Sequence, residues 1–176
     1  RRDVSSLITN RTLLVLVDHS DPRRSIFPEQ AKKFEQIAVV DHHRLGSVMV
    51  NNAVFSHIDT SASSASEIFT TFFRYNQKDI KMDSRTATFL LTGISLDTHN
   101  FKEHTTDVTF EAAAALQTYG ASNAKSVDFL KDDFEDYRLQ ISILNHSETP
   151  YYGTVVSVSS DDDIVSSVTL SKVANR

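Results

Sequence analysis

An acidic residue followed by two histidines forms the most informative motif in the sequence, Asp41-His42-His43. The motif comes directly after the apolar run of residues 37–40. A short β-branched run that ends in a turn is typical of a buried strand. Open α/β sheets bind their ligands just beyond the carboxyl ends of such strands. We therefore expect Asp41, His42 and His43 to lie together at the mouth of a binding site.

Two further carboxylates lie at the ends of a predicted strand and a predicted helix. Asp18 ends the apolar run of residues 12–17, and Asp97 ends a helical pattern that begins near Ser84. Carboxylate and imidazole groups without sulfur suit a hard or borderline divalent cation, with Mn²⁺ or Mg²⁺ preferred over Zn²⁺. Two such ions about 4 Å apart can bind a phosphate and lower the pKa of a bridging water. The residues thus favour a metal-dependent site for phosphate chemistry.

Structural roles compete with this interpretation. An aspartate at the end of a strand is more often a turn former, and a single histidine such as His57 is more often a surface residue. His99, two residues past Asp97, could support the metal ligands. Ser63 and Ser64 could donate to a phosphate at a helix N-terminus. A capping box made by Ser64 and Glu67 explains the same residues equally well. From the residues alone, both interpretations remain open.

The order of the elements predicts an α/β fold. Residues 12–18 form a continuous apolar run, typical of a strand buried on both faces. A crossover-length segment separates it from residues 37–40, so we expect the two strands to be parallel. Residues 53–58 predict a third strand, and helical patterns follow as far as residue 145. The sequence predicts a parallel sheet flanked by helices.

The pattern changes near Pro150. Residues 151–158 look like a strand, residues 159–163 like a turn, and residues from 164 onward like a helix. We therefore predict one domain over residues 1–149, followed by a linker and the beginning of a second α/β domain over residues 150–176.

Composition narrows the function classes. The chain has 176 residues, 40% apolar and 23% charged, as in ordinary globular proteins. A net charge of -5 argues against the binding of long nucleic acids. The absence of cysteine excludes disulfides and thiolate metal ligands. No apolar run approaches the roughly 20 residues of a membrane span. We expect a cytoplasmic domain.

Four segments resemble the DHH phosphoesterase family in order and spacing. They are residues 13–18, 39–44, 62–67 and 93–101. Within the family, the chain is most similar to the GdpP/YybT branch, whose members hydrolyse cyclic di-AMP, and residues 109–113 also resemble that branch. The resemblance implies a two-Mn²⁺ phosphodiesterase, with Mg²⁺ or Co²⁺ as alternative ions, that converts a cyclic dinucleotide into a linear one such as pApA.

The resemblance also implies individual roles. Asp18 would bridge the two metal ions, and His42 and Asp97 would complete the coordination of one of them. Asp41 would orient His42 or neighbouring groups, and His43 would help to hold the scissile phosphate. Substrate contacts are expected from a further set of residues, namely Ser63, Ser64 and His99.

The resemblance extends beyond the chain. The first metal-binding motif of the family would precede Arg1, and most of the second domain, called DHHA1, would follow Arg176. We therefore expect this piece alone to bind metal poorly. The resemblance also implies a homodimer. It implies a membrane anchor only through segments outside this sequence.

The chain departs from the branch at two positions, where His104 and Val108 replace arginines. The replacements motivate an alternative, a catalytically degenerate nucleotide-binding signalling module. A second alternative is a DHH hydrolase of short oligonucleotides, nucleotide phosphates or pyrophosphate.

Overall fold

A computed structural model describes residues 8–50, 53–76, 80–157 and 165–174. The chain divides into two compact units, Arg1–Leu130 and Lys131–Arg176. This division lies before the boundary predicted near Pro150. The predicted domain limits, residues 1–149 and 150–176, stay a prediction.

Three parallel strands form the sheet of the first unit. They are β1 (Leu13–Val17), β2 (Gln36–Asp41) and β3 (Phe55–Ile58), and β2 lies in the centre. The prediction of a parallel α/β sheet is confirmed. In β2, Val39 and Val40 are both buried, because a central strand is covered on its two faces. The carboxyl ends of β1 and β2 therefore meet at one edge of the sheet.

The prediction that β1 is buried on both faces is wrong. Leu13, Val15 and Val17 are 41–47% exposed, whereas Leu16 is 2% exposed. Successive side chains of a strand point to opposite faces of a sheet. Only one face of β1 is therefore packed in the described part of the chain, through the cluster that Leu16 forms with β2.

Helices follow the strands along the first unit. The β1–β2 connection contains a 3-10 turn at Pro22–Arg24 and the short helix α1 (Pro28–Ala31). Four longer helices follow β3, and they are α2 (Ala65–Tyr75), α3 (Ser84–Asp97), α4 (Asp107–Thr118) and α5 (Asn123–Phe129). The predicted helices are thus present, with boundaries that differ by a few residues.

The helix α2 begins at a cap that differs from the predicted one. The Ser64 hydroxyl accepts the backbone N–H of Glu67, as predicted. The Glu67 carboxylate, however, accepts the backbone N–H and the hydroxyl of Ser63 instead of the N–H of Ser64. Only half of the predicted capping box is therefore formed.

The helix α3 is held by its own N-cap and by a buried cluster. The Asp83 carboxylate accepts the Thr86 N–H at 2.7 Å. Leu91 and Ile94 are buried against α4 through residues such as Leu116. Because the C-terminal turn of α3 belongs to this core, the position of its last residue is firmly defined.

The second unit contains helices and a hairpin. The helix α6 (Phe134–Asn145) is followed by the antiparallel strands β4 (Ser147–Tyr151) and β5 (Thr154–Ser157), and then by α7 (Ser167–Ala174). The single strand predicted over residues 151–158 is thus a two-stranded hairpin, because Gly153 at φ 76° allows a tight turn. The turn predicted at residues 159–163 lies outside the described residues. No helix in the described part of the chain is long and apolar enough to cross a membrane.

Candidate metal centre

Asp18 lies at the carboxyl end of β1, where the backbone leaves the sheet. It adopts φ 66°, a conformation that non-glycine residues seldom take and that aspartate tolerates better than most. Its backbone N–H donates to the carbonyl of Val40 at 3.0 Å, so the turn is still bound to β2. The Asp18 side chain is 53% exposed and therefore open to a ligand.

His42 lies between two carboxylates. Its Nε2 is 3.1 Å from Asp18 Oδ1 and 3.8 Å from Asp97 Oδ2. Asp18 comes from the end of β1 and Asp97 from the last turn of α3, so three separate elements meet here. The ring of His42 is mostly buried, which restricts it to this position.

Asp18, His42 and His43 together offer a set of metal-binding atoms. One ligand atom from each lies within 4.8 Å of the other two. Oxygen and imidazole nitrogen are donors that Mn²⁺ accepts readily. The donor set therefore fits a divalent cation of the predicted kind.

The pKa of Asp97 is raised by burial and by a second carboxylate that faces it. Burial raises the pKa of its carboxyl group, and the negative charge of Asp18 raises that pKa further. Nearby histidines, first of all His42, oppose the effect only in part. A divalent cation between the carboxylates would relieve this repulsion, because it favours the ionised form of both.

Asp41 pairs with His43. The Asp41 side chain is 1% exposed, and its Oδ1 lies 2.8 Å from Nδ1 of His43 and 3.1 Å from the His43 backbone nitrogen. Burial acts to raise the pKa of Asp41, but hydrogen bonds from His43 and from the Ser20 hydroxyl outweigh it and lower the pKa. Asp41 is thus an ionised acceptor, which fixes the ring of His43.

A left-handed turn follows Asp97 and was not foreseen from the sequence. His99, Asn100 and Phe101 all have φ between 47° and 62°. The buried Thr98 closes the turn, because its hydroxyl donates to the Ile94 carbonyl and accepts the Phe101 N–H. Asparagine and histidine are enriched in this conformation but occur far more often outside it, so the sequence carries little signal for the turn.

The turn brings residues 104–106 to a cavity of about 350 Å³ beside the metal-binding groups. We call it the aspartate cavity, and its principal lining residues are His42, Asp97, Ser63, His104, Thr105 and Thr106. Thr106 is the N-cap of α4, and Ser63 precedes the N-cap of α2. Helix N-termini carry partial positive charge, so the cavity suits an anionic ligand.

The other predicted substrate contacts have defined positions. Ser63 lines the aspartate cavity, but its hydroxyl donates to Glu67 at 2.6 Å. Ser64 is fully buried, and its hydroxyl accepts the Glu67 N–H. His99 is half-exposed and lies 3.4 Å from Glu103. Substrate binding by Ser63, Ser64 and His99 stays a prediction.

The carboxyl end of the central strand thus carries the Asp-His-His motif, and two further aspartates, Asp18 and Asp97, face His42. The model of the DHH family, N-terminal domain, matches residues 1–94. The chain therefore belongs to the DHH family.

The relatives of the chain include cyclic-di-AMP phosphodiesterases. It is 32% identical over 168 residues to cyclic-di-AMP phosphodiesterase PdeA from Listeria monocytogenes, covering 96% of this chain and 26% of that protein. It is 34% identical over 136 residues to cyclic-di-AMP phosphodiesterase GdpP from Bacillus subtilis, covering 77% of this chain and 21% of that protein. The chain thus spans only about a quarter of the length of these relatives.

The chain is also similar to two proteins with other names. A probable manganese-dependent inorganic pyrophosphatase from Thermotoga maritima is 38% identical over 96 residues, covering 54% of this chain and 17% of that protein. Among solved structures, an exopolyphosphatase-related protein from Bacteroides fragilis has a TM-score of 0.68 at 16% identity, covering 82% of this chain and 43% of that chain. The structural likeness supports the fold alone.

Proposed function

We propose that this chain is part of the catalytic domain of a Mn²⁺-dependent phosphodiesterase that hydrolyses cyclic di-AMP to linear pApA. The observation that carries the proposal is the position of His42 between Asp18 and Asp97, beside a cavity suited to an anion. The likeness to PdeA and GdpP over most of the chain supports the choice of substrate.

Asp18, His42 and Asp97 would hold the metal. When bound, divalent ions in such a site neutralise phosphate charge and activate the attacking water. The Asp18 carboxylate has two oxygens, so it can serve two ions, and Nε2 of His42 is the ring atom that points at both carboxylates. The buried position of His42 keeps this geometry ready before a ligand binds.

His43 would bind the scissile phosphate. The ionised Asp41 carboxylate can only accept, so Nδ1 of His43 carries the proton of their hydrogen bond. This arrangement leaves Nε2 of His43 as the ring atom that can donate to a phosphate oxygen when the imidazole is protonated. Asp41 would hold the ring in this orientation, and a hydrogen bond from Nε2 would stabilise the negative charge that develops on the phosphate.

The test uses the full-length protein with added Mn²⁺ and cyclic di-AMP, and follows the product by chromatography. We expect a linear dinucleotide from the wild type and none from Asp97→Asn. The matched control is Asp136→Asn, which alters an exposed carboxylate of α6 and should keep full activity. Absence of turnover by folded, Mn²⁺-loaded wild type would rule out the proposal.

Pyrophosphate hydrolysis is the second candidate, favoured by the likeness to the manganese-dependent pyrophosphatase. Turnover of pyrophosphate without turnover of cyclic di-AMP would support it. Binding of cyclic di-AMP with no hydrolysis of either compound would instead identify a nucleotide-binding module, the role that the replacements His104 and Val108 motivate.

A further inference from the structure

A second cavity of about 300 Å³ adjoins the candidate metal centre. We call it the arginine cavity, and the lining residues that matter are Asp21, Arg23, Arg24, Asp41, His43 and Arg44. It shares no lining residue with the aspartate cavity. His42 lines the aspartate cavity and His43 lines the arginine cavity, and their ring centroids are 4.3 Å apart. The two cavities therefore meet at this histidine pair.

The two carboxylates of the arginine cavity already have partners. Asp21 accepts from Arg23, with Nη2 at 2.6 Å and Nε at 3.0 Å. Asp41 is buried and accepts both the ring and the backbone N–H of His43. Asp21 is therefore paired with Arg23, and Asp41 is paired with His43.

The lining residues of the arginine cavity include three arginines and two aspartates, so Arg24 and Arg44 give it a net positive charge. Neither arginine forms an ion pair with a carboxylate in the described part of the chain, although Arg24 exerts a weak charge interaction on Asp21. Both side chains are exposed. In a chain with a net charge of -5, two such arginines beside the metal centre mark a local site for an anion.

Guanidinium groups match phosphate oxygens in geometry as well as in charge. A cyclic dinucleotide carries two phosphodiesters in one ring, so one remains charged while the other reacts. We propose that Arg24 and Arg44 bind the second phosphate of the substrate in the arginine cavity, while the first lies at the candidate metal centre. The inference rests on the proposed function, because it assumes a substrate with two phosphates.

The test compares two phosphodiesters in the full-length protein with Mn²⁺. Cyclic di-AMP has two phosphates, whereas bis(4-nitrophenyl) phosphate has one. For Arg24→Gln and Arg44→Gln we expect kcat/KM toward cyclic di-AMP to fall by about tenfold or more each. Turnover of bis(4-nitrophenyl) phosphate should be unchanged, because that substrate leaves the arginine cavity empty.

Arg11→Gln is the matched control. It removes the same charge from an exposed position before the start of β1, at the end of the strand opposite Asp18. It should leave both substrates unaffected. Equal losses toward both phosphodiesters, or no loss toward cyclic di-AMP, would overturn the inference.

A binding measurement separates this inference from the proposed function. The affinity for pApA, measured by calorimetry in Mn²⁺, should fall by about tenfold in either arginine variant. If the wild type binds pApA through these arginines but hydrolyses nothing, the inference stands and the proposed activity is wrong. If the arginine variants lose only pyrophosphate turnover, Arg24 and Arg44 bind the second phosphate of pyrophosphate and not that of a dinucleotide. Failure of the wild type to bind pApA or pyrophosphate, or equal affinity in the variants, would overturn the inference.

Discussion

His42 and Asp18 come from the ends of two neighbouring parallel strands, and Nε2 of His42 lies 3.1 Å from Asp18 Oδ1. The register that pairs Val17 with Val40 places the carboxyl ends of β1 and β2 side by side. Because Asp97 reaches the same nitrogen from α3, the contact joins the sheet to the helical layer. The consequences of this arrangement can be measured one group at a time.

We predict that His42→Asn weakens Mn²⁺ binding more than the substitution of any residue that only positions a metal ligand. Supporting residues typically change metal affinity by about 10- to 100-fold, and His42 would supply a ligand atom itself. Titration of the full-length protein with Mn²⁺, followed by electron paramagnetic resonance, measures the effect. The control His146→Asn alters an exposed histidine that ends α6 and should bind Mn²⁺ normally. Unchanged affinity in His42→Asn would show that the ion binds elsewhere.

Asp41→Asn should separate catalysis from metal binding. Asp41 contacts His43 and not the proposed ligands, so Asp41→Asn removes the negative charge beside the His43 ring and one of the two acceptor oxygens that hold it. We expect kcat to fall by about 10- to 100-fold, with Mn²⁺ affinity changed much less. Kinetics at saturating Mn²⁺ and a parallel metal titration provide the two values. A loss of Mn²⁺ affinity as large as that of His42→Asn would instead make Asp41 a ligand.

Asp83 should make the stability of the domain depend on pH. Hydrogen bonds from Thr86, first of all from its backbone N–H, lower the pKa of this N-cap. A carboxyl with a lowered pKa stabilises the folded state fully above its unfolded pKa, at about pH 4, and the contribution is lost as the pH falls through the folded value. Thermal unfolding of the wild type and of Asp83→Asn should therefore differ above about pH 4 and converge below it. A difference independent of pH would contradict this account.

Gly93 allows close contact between α2 and α3. A Cβ atom at this position would lie 2.1 Å from the Ser66 Oγ and 3.0 Å from its Cβ. We expect Gly93→Ala to lower the free energy of unfolding by about 1–3 kcal/mol, as overpacking commonly does. Chemical denaturation measures the change, and Gly46→Ala is the control because no atom lies within 4 Å of its added Cβ. Equal stability of the two variants would show that the helices separate freely.

Gly93→Ala should also affect the metal centre. The helix α3 ends at Asp97, so a shift of the helix moves this carboxylate relative to His42. We expect Mn²⁺ affinity to fall in Gly93→Ala and to stay normal in Gly46→Ala. Normal affinity in both variants would show that the end of α3 is positioned independently of its contact with α2.

The sequence by itself determined the elements and the candidate groups. Apolar runs that end in Asp18 and Asp41 predicted two parallel strands, and Ser64 marked the beginning of a helix. These signals are local, since a strand is recognised by its apolar residues and a cap by a hydrogen bond to a nearby N–H. The DHH resemblance added the family, which the family match confirms.

Tertiary structure alone decided how the groups pair. Asp41 faces His43, whereas His42 faces Asp18 and Asp97, because consecutive residues at a strand end point in different directions. The left-handed turn after Asp97, which Thr98 closes and which packs Phe101 against the helical core, brings the lining residues 104–106 to the cavity. Exposure of one face of β1 depends on which elements cover it. Pairing and exposure are properties of the packed layers, so residue types along the chain do not specify them.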